Sequence, residues 1–118
     1  MSDLICFVIN ENGLYLDKIL ASFNNIPIFF VCKDSNDKYY LVLCLDVSEF
    51  NYLVFEVEFN VLHEMLKKQI TMRDAIMTAN SFYDVQTGDN AFNDTVRKFP
   101  IKNINKNILP LKGTFVNL

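Results

Sequence analysis

The chain has 118 residues, a mass of 13.7 kDa and a net charge of −3, and 51% of its residues are apolar. This length leaves room for one hydrophobic core and excludes two independent ones, and the composition is that of a globular protein, not of a disordered one. The sequence therefore predicts a single domain over residues 1–118.

The first half of the chain alternates apolar segments with turn residues. The apolar run over residues 4–9 predicts a short strand, and Tyr15–Phe23 predicts a short helix because its apolar residues recur at helical spacing. The segments 26–32, 39–46 and 52–59 are rich in β-branched and aromatic residues and are separated by polar turns. They predict a three-stranded antiparallel meander.

The second half changes to a helical period. An apolar stripe from Val61 to Ile70 predicts a helix with Asn60 as its N-cap, and Thr71 and Asp74 form a variant capping box at the start of a second helix. Residues 84–94 are polar and predict a loop, and residues 95–118 predict a basic segment docked on the body. Together these elements indicate an α+β fold, with an antiparallel meander sheet of three to five strands and helices packed on one face.

The meander has two unequal faces. Within the three strands, the odd-numbered positions between Phe29 and Phe59 are apolar and predict a core face under the helices, whereas the even-numbered positions are mixed. Two interpretations of the mixed face stay open: the chain's own N-terminal strand or tail covers it, or a partner or a second copy binds there. In the second interpretation the partner-binding residues are Tyr40, Tyr52, Val54, Glu56 and Glu58.

The charges are divided along the chain. All 14 acidic residues lie at or before Asp94, whereas the segment that follows holds only basic charges. These five basic residues are Arg97, Lys98, Lys102, Lys106 and Lys112. They predict either a tail that docks on the acidic body or, as the alternative function, a contact with nucleic acid.

Residue types that many catalytic sites need are scarce. The glycines Gly13, Gly88 and Gly113 are far apart, which excludes a P-loop and a dinucleotide-binding turn. His63 is the only histidine, so a histidine-rich metal centre and an H-E-x-x-H zinc site are excluded. We therefore expect a protein that is not an enzyme and has no catalytic residue, cofactor or metal site.

Three weaker candidates have simpler interpretations. His63 falls on the polar side of its helix and predicts a solvated side chain, because no nucleophile is apparent beside it. Glu56 and Glu58 could serve as an acid and base pair, but acids on one face of an outer strand more often keep that face solvated. The segment 84–94 lacks the spacing of a calcium loop.

The cysteines and the absence of an export signal indicate the compartment. Cys6, Cys32 and Cys44 are odd in number and contain no C-x-x-C pair, which favours the reducing cytoplasm. Residues 4–9 are too short for a signal peptide, and no run of about 18 apolar residues could span a membrane. We expect a cytoplasmic protein that has no membrane partner.

Residues 14–80 carry three short motifs, and the tail beyond them carries none. They are P-x-x-F at Pro27–Phe30, Y-L at Tyr40–Leu41 and I-T-M-R-D at Ile70–Asp74. In these motifs the chain resembles a family of small bacterial cytosolic domains without an assigned activity. The resemblance implies a short helix, three strands and a helix pair, and it transfers no catalytic residue.

Small size, an acidic body and the lack of catalytic residue sets together predict a protein-binding or regulatory module. The partner is expected to be another protein with a basic surface, or a second copy in a homodimer. The 14 asparagines indicate an AT-rich coding sequence, which is typical of a low-GC bacterium or one of its mobile elements. With the small size, the acidic body and the mixed sheet face, the expected setting is a bacterial or phage conflict system, with the chain as its inhibitor or immunity protein.

Overall fold

The computed structural model describes residues 5–87, 94–110 and 113–116. Seven strands form one antiparallel sheet whose spatial order follows the chain order. They are β1 (Ile5–Ile9), β2 (Asn12–Phe23), β3 (Ile26–Lys33), β4 (Tyr39–Asp46), β5 (Asn51–Val57), β6 (Ser81–Gln86) and β7 (Thr95–Pro100). Two short helices, α1 (Phe59–Leu66) and α2 (Met72–Met77), separate β5 from β6.

The predicted α+β fold with a sheet of three to five strands is wrong. About half of the described residues lie in the strands of a curled seven-stranded sheet, and about 19% lie in helices or 3₁₀ turns. Two errors explain the difference. The predicted helix at Tyr15–Phe23 is part of β2, and the segments after α2 contribute two further strands.

The strand β2 forms because tight turns bring its two ends into hairpins. Asn10 and Glu11 have φ values of 51° and 68°, and Asn24 and Asn25 have φ values of 49° and 66°. Two consecutive residues with positive φ are typical of the type I′ turns that join antiparallel strands. Asparagine tolerates this conformation, so the Asn24–Asn25 pair closes a β2–β3 hairpin and does not end a helix.

The register predicted for the meander is correct at one turn and shifted at the other. Cys32 lies opposite Tyr40, as predicted. On the other side Tyr40 lies opposite Glu56, two residues away from its predicted neighbour Glu58. One residue of the shift arises because Asp46 pairs with Asn51, one residue earlier than predicted, and the other arises from an irregularity in β4 between Cys44 and Asp46. A shift of two residues keeps each side chain on its predicted face.

The sheet curls around an inner cluster on its even-numbered face. The ring of Phe7 in β1 lies 5.1 Å from that of Tyr52 in β5 and 6.3 Å from that of Phe30 in β3. Since β1 and β5 are not neighbours in the sheet, this contact requires a strong curl. Of the two interpretations of this face, the structure supports the first, because Phe7 and Ile9 of the N-terminal strand pack into the cluster.

The outer cluster fills the opposite face under the helices. Leu62 and Met65 of α1 and Ala75 and Ile76 of α2 are buried against the odd-numbered face of the sheet. The helix α1 begins at Phe59, two residues before the predicted start at Val61. Its N-cap is Glu58, without a side-chain hydrogen bond, and not the predicted Asn60. The cap predicted for α2 is confirmed, since the Thr71 hydroxyl accepts a hydrogen bond from the Asp74 backbone N–H at 3.1 Å.

The C-terminal segment lies against this outer cluster. After β7 it forms two 3₁₀ turns, Ile101–Asn103 and Lys106–Ile108. Arg73 of α2 donates hydrogen bonds to the carbonyl oxygens of Pro110 at 2.9 Å and Lys106 at 2.8 Å. These bonds hold the tail while its apolar residues pack into the cluster. The buried ones are Ile104, Leu109 and Val116.

Candidate functional site: an acidic cleft at the end of strand β5

Two clefts meet at the end of β5. The pairing of β5 with β6 ends at Phe55 and Phe82, because β5 then leads into α1 while β6 arrives from α2. A cleft of about 230 Å³ opens where they separate, and a second cleft of about 230 Å³ lies on the β4 side. Glu56, Val57 and Glu58 line both clefts. We call the two together the acidic cleft.

The carboxylates of the acidic cleft are exposed to solvent. Glu56 and Glu58 are both exposed, and Asp37 lines the same cleft from the turn before β4. The Lys38 ammonium lies 3.9 Å from a carboxylate oxygen of Glu56, with both side chains more than half exposed. A pair at this distance in water contributes little energy, so Glu56 can exchange Lys38 for another cation at small cost.

Aromatic side chains border the carboxylates. The ring of Phe59, which is 60% exposed, lies 5.4 Å from the ring of Tyr39 and 6.1 Å from the imidazole of His63. The Lys33 ammonium lies 5.7 Å from the centre of the Tyr39 ring and 3.2 Å from Asp37. Lys33 therefore contacts both the face of an aromatic ring and a carboxylate, a combination that favours cations.

Three of the predicted partner-binding residues lie inside the protein. Tyr40 and Tyr52 are 6% and 9% exposed, and Val54 is fully buried in the inner cluster. Of the five predicted residues, only Glu56 and Glu58 are exposed in the structure. That the five residues bind a partner stays a prediction.

The buried Tyr40 has a structural partner. Its hydroxyl donates a hydrogen bond of 2.9 Å to Asp34, whose other carboxylate oxygen accepts from the backbone N–H groups of Asn36 and Lys38. Burial alone would raise the pKa of Asp34, but these three donors outweigh it and lower the pKa below its usual range. Burial, with the bond to Asp34, raises the pKa of Tyr40. The pair fixes the β3–β4 turn.

The basic residues of the tail do not share one surface. Arg97 and Lys98 are exposed neighbours on β7, so their side chains leave opposite faces of the sheet. The Lys98 ammonium lies 5.7 Å from the centre of the Tyr83 ring. Lys102 and Lys106 are exposed on the two 3₁₀ turns. The fifth predicted residue, Lys112, lies outside the described residues.

A metal site, the cysteines and the loop 84–94 are the remaining candidates in the described parts of the chain. There, no three His, Cys, Asp or Glu side chains are grouped so as to hold a metal ion. The buried Cys32 thiol has a raised pKa, because its hydrogen bond with Cys6 and its burial both favour the protonated form. Of the predicted loop 84–94, Asp84 lies in β6, and residues 88–93 lie outside the described part.

Sequence reasoning missed Phe59 and Asp37 as site residues. Phe59 was placed on the core face, because strand alternation was continued past Val57. The signal that could have corrected this is the change of period at Asn60, since a residue at the junction of a strand and a helix leaves the plane of the sheet. Asp37, with a φ of 62°, is recognisable only as a turn residue.

Across the described residues, the structure contains no helix with the length and hydropathy needed to cross a membrane.

Comparisons with protein-family models, with curated proteins and with solved structures find no match for this chain. The resemblance described over residues 14–80 therefore stays a prediction.

Proposed function

We propose that this protein is a non-catalytic binding module that takes up a basic segment of another protein in the acidic cleft. The observation that carries the proposal is the position of Glu56 and Glu58, two exposed carboxylates that line both clefts beside the exposed ring of Phe59. The setting we propose is the cytoplasm of a bacterium, where the protein acts as an inhibitor or immunity protein of a bacterial or phage conflict system.

The chemistry of the acidic cleft suits lysine and arginine side chains. An incoming cation can contact the carboxylates of Glu56 and Glu58 while its aliphatic stem covers the face of Phe59. Each exposed ion pair is worth less than about 1 kcal/mol, so several contacts and the ring together must supply the affinity. The excess of acidic groups on the body also speeds the approach of a basic partner.

A capture experiment with matched charge variants tests this proposal. Tagged wild-type protein, Glu56→Gln/Glu58→Gln and the control Glu11→Gln/Glu49→Gln are incubated with nuclease-treated lysate of the source cells, and bound proteins are identified by mass spectrometry. Both double variants remove two exposed negative charges, and only the first changes the cleft. We expect a stoichiometric basic partner with the wild type and the control, reduced at least fivefold with the cleft variant.

Equal capture by all three baits would contradict the proposed surface. If a second copy of this chain is captured by the wild type and not by the cleft variant, the protein forms a homodimer through the acidic cleft. The same baits also test the alternative function, nucleic-acid binding, which is supported by the exposure of Arg97, Lys98, Lys102 and Lys106. For that test the baits are also incubated with lysate that has not been treated with nuclease, and the expected nucleic acid is recovered there and lost after nuclease treatment and in high salt.

A further inference from the structure

A second open groove lies on the outer face of the sheet, away from the acidic cleft. Its apolar end has a volume of about 390 Å³ and lies between the sheet and the 3₁₀ turns of the tail. The rings of Phe82 in β6 and Phe99 in β7 stack at 5.5 Å and form part of its floor. Leu53 and Ile104 add further apolar surface. This volume lies within the range of small-molecule sites.

The groove continues into a polar end of about 290 Å³, and Asp84 lines both parts. The other residues of the polar end are Asn51, Gln86, Thr95 and Arg97. The groove therefore offers an aromatic surface at one end and charged and amide groups at the other. We call it the amphipathic groove.

Two opposite charges lie side by side in the polar end of the amphipathic groove. Asp84 and Arg97 are direct neighbours in the pairing of β6 with β7, so their side chains lie on the same face. Each contacts a different neighbour: Asp84 accepts a 2.8 Å hydrogen bond from the amide of Asn51, and the Arg97 guanidinium lies 5.8 Å from the centre of the Phe99 ring. This arrangement presents an acceptor and a cationic donor side by side.

We propose that the amphipathic groove binds a free α-amino acid with an apolar side chain. The ammonium group of the ligand would contact the carboxylate of Asp84, and its carboxylate would contact the guanidinium of Arg97. The apolar side chain would then lie on the stacked rings of Phe82 and Phe99. An α-amino acid carries its two charges on adjacent positions, which matches two cross-strand neighbours. This inference is independent of the function proposed for the acidic cleft.

Calorimetry and NMR titration with L-phenylalanine, L-leucine and L-methionine test the inference. With at least one of them we expect a dissociation constant of about 1 mM or lower, with shifts of the Phe99 ring and the Leu53 methyl groups. Asp84→Asn and Arg97→Gln should each weaken binding at least tenfold. The controls Asp17→Asn and Lys98→Gln remove the same charges elsewhere, and they should leave binding within twofold of wild type.

Ligand analogues separate the two charge contacts. Phenethylamine lacks the carboxylate and 3-phenylpropanoate lacks the ammonium group, so each should bind at least tenfold more weakly than phenylalanine. The inference is overturned if no amino acid gives saturable shifts up to about 10 mM, a concentration that detects even ligands with a standard binding free energy near −3 kcal/mol. It is also overturned if either analogue binds the wild-type protein as tightly as phenylalanine does, or if either groove variant binds the amino acid as tightly as the wild-type protein does.

Discussion

Replacing Arg73 with alanine should loosen the C-terminal tail without unfolding the sheet. The guanidinium of Arg73 donates two hydrogen bonds, to the carbonyl oxygens of Pro110 and Lys106, across a separation of more than 30 residues in sequence. These carbonyls flank Leu109, which is buried in the outer cluster together with Ile104. Alanine removes both donors and leaves the tail held by its apolar contacts and by the hydrogen bond from the Met72 backbone N–H to the Thr114 carbonyl oxygen.

The expected loss of stability follows from the exposure of the two bonds. Hydrogen bonds to a charged group contribute about 1.5–3 kcal/mol each when they are shielded from water. The bond to Pro110 is partly buried, so we assign it the lower end of this energy range. The bond to Lys106 is exposed, so we assign it a smaller energy than that. We expect a total loss of about 2 kcal/mol, which lowers the Tm of a domain of this size by about 8 °C.

Urea denaturation and native-state hydrogen exchange measure this effect. The backbone N–H groups of Ile104 and Leu109 donate within the 3₁₀ turns, and their protection should fall in Arg73→Ala. Arg73→Lys keeps the charge but not the planar fork, so it should lose about half as much stability. The control Arg97→Ala should stay within about 0.5 kcal/mol of wild type. The reasoning is refuted if Arg73→Ala loses no more than this control, or if tail protection is unchanged.

Three further outcomes are expected. Unfolding experiments between pH 6 and pH 2 should show the free energy of unfolding falling below about pH 4. The pKa of Asp34 is lowered in the folded state, so its carboxylate stabilises that state only while it is ionised. Tyr40→Phe should make this pH dependence shallower, because it removes one hydrogen-bond donor to the Asp34 carboxylate. Phe7→Ala should cost about 3–4 kcal/mol in urea denaturation, whereas Phe23→Ala, at a side chain that is 57% exposed, should cost less than 1. Asn25→Gly should raise the Tm slightly, since glycine suits the second position of a type I′ turn better than asparagine does.

The meander could be predicted because its information is local. The turn between β3 and β4 is built by Asp34, which bonds the N–H groups of Asn36 and Lys38 within four residues of itself. A polar turn between two apolar runs fixes the register on both sides, and the alternation then assigns every side chain to a face. The β4–β5 register was off by two residues, because an irregularity near Asp46 has no local sequence signal.

The strand β2 could not be assigned from periodicity alone. Leu16, Leu20 and Phe23 lie at spacings that fit a helix, and the bulges of β2 break the strict alternation that would have identified a strand. The pair Asn24–Asn25 was the available signal. It was interpreted as the end of a helix, although two asparagines between apolar runs also favour a type I′ hairpin.

The candidate site could be predicted only where it does not depend on the curl of the sheet. The exposure of Glu56 and Glu58 was expected because acidic side chains keep a face solvated, and both are exposed, although β5 is not the outer strand that was assumed. The burial of Tyr40 and Tyr52 followed from only one of the two interpretations left open, because β1 covers their face through contacts between residues far apart in sequence. No local sequence pattern predicts how strongly a sheet curls.

The order of the strands has a consequence for the kinetics of folding. Every strand pairs with its neighbour in the chain, so strands β1 to β5 can form from successive hairpins with a low entropic cost of loop closure, whereas β6 joins them only across the two helices. The contact of Phe7 with Tyr52 is different, since it forms only after the intervening strands have curled into place. The rate of folding should therefore be little affected by changes at Phe7, and the lost stability should instead emerge as faster unfolding.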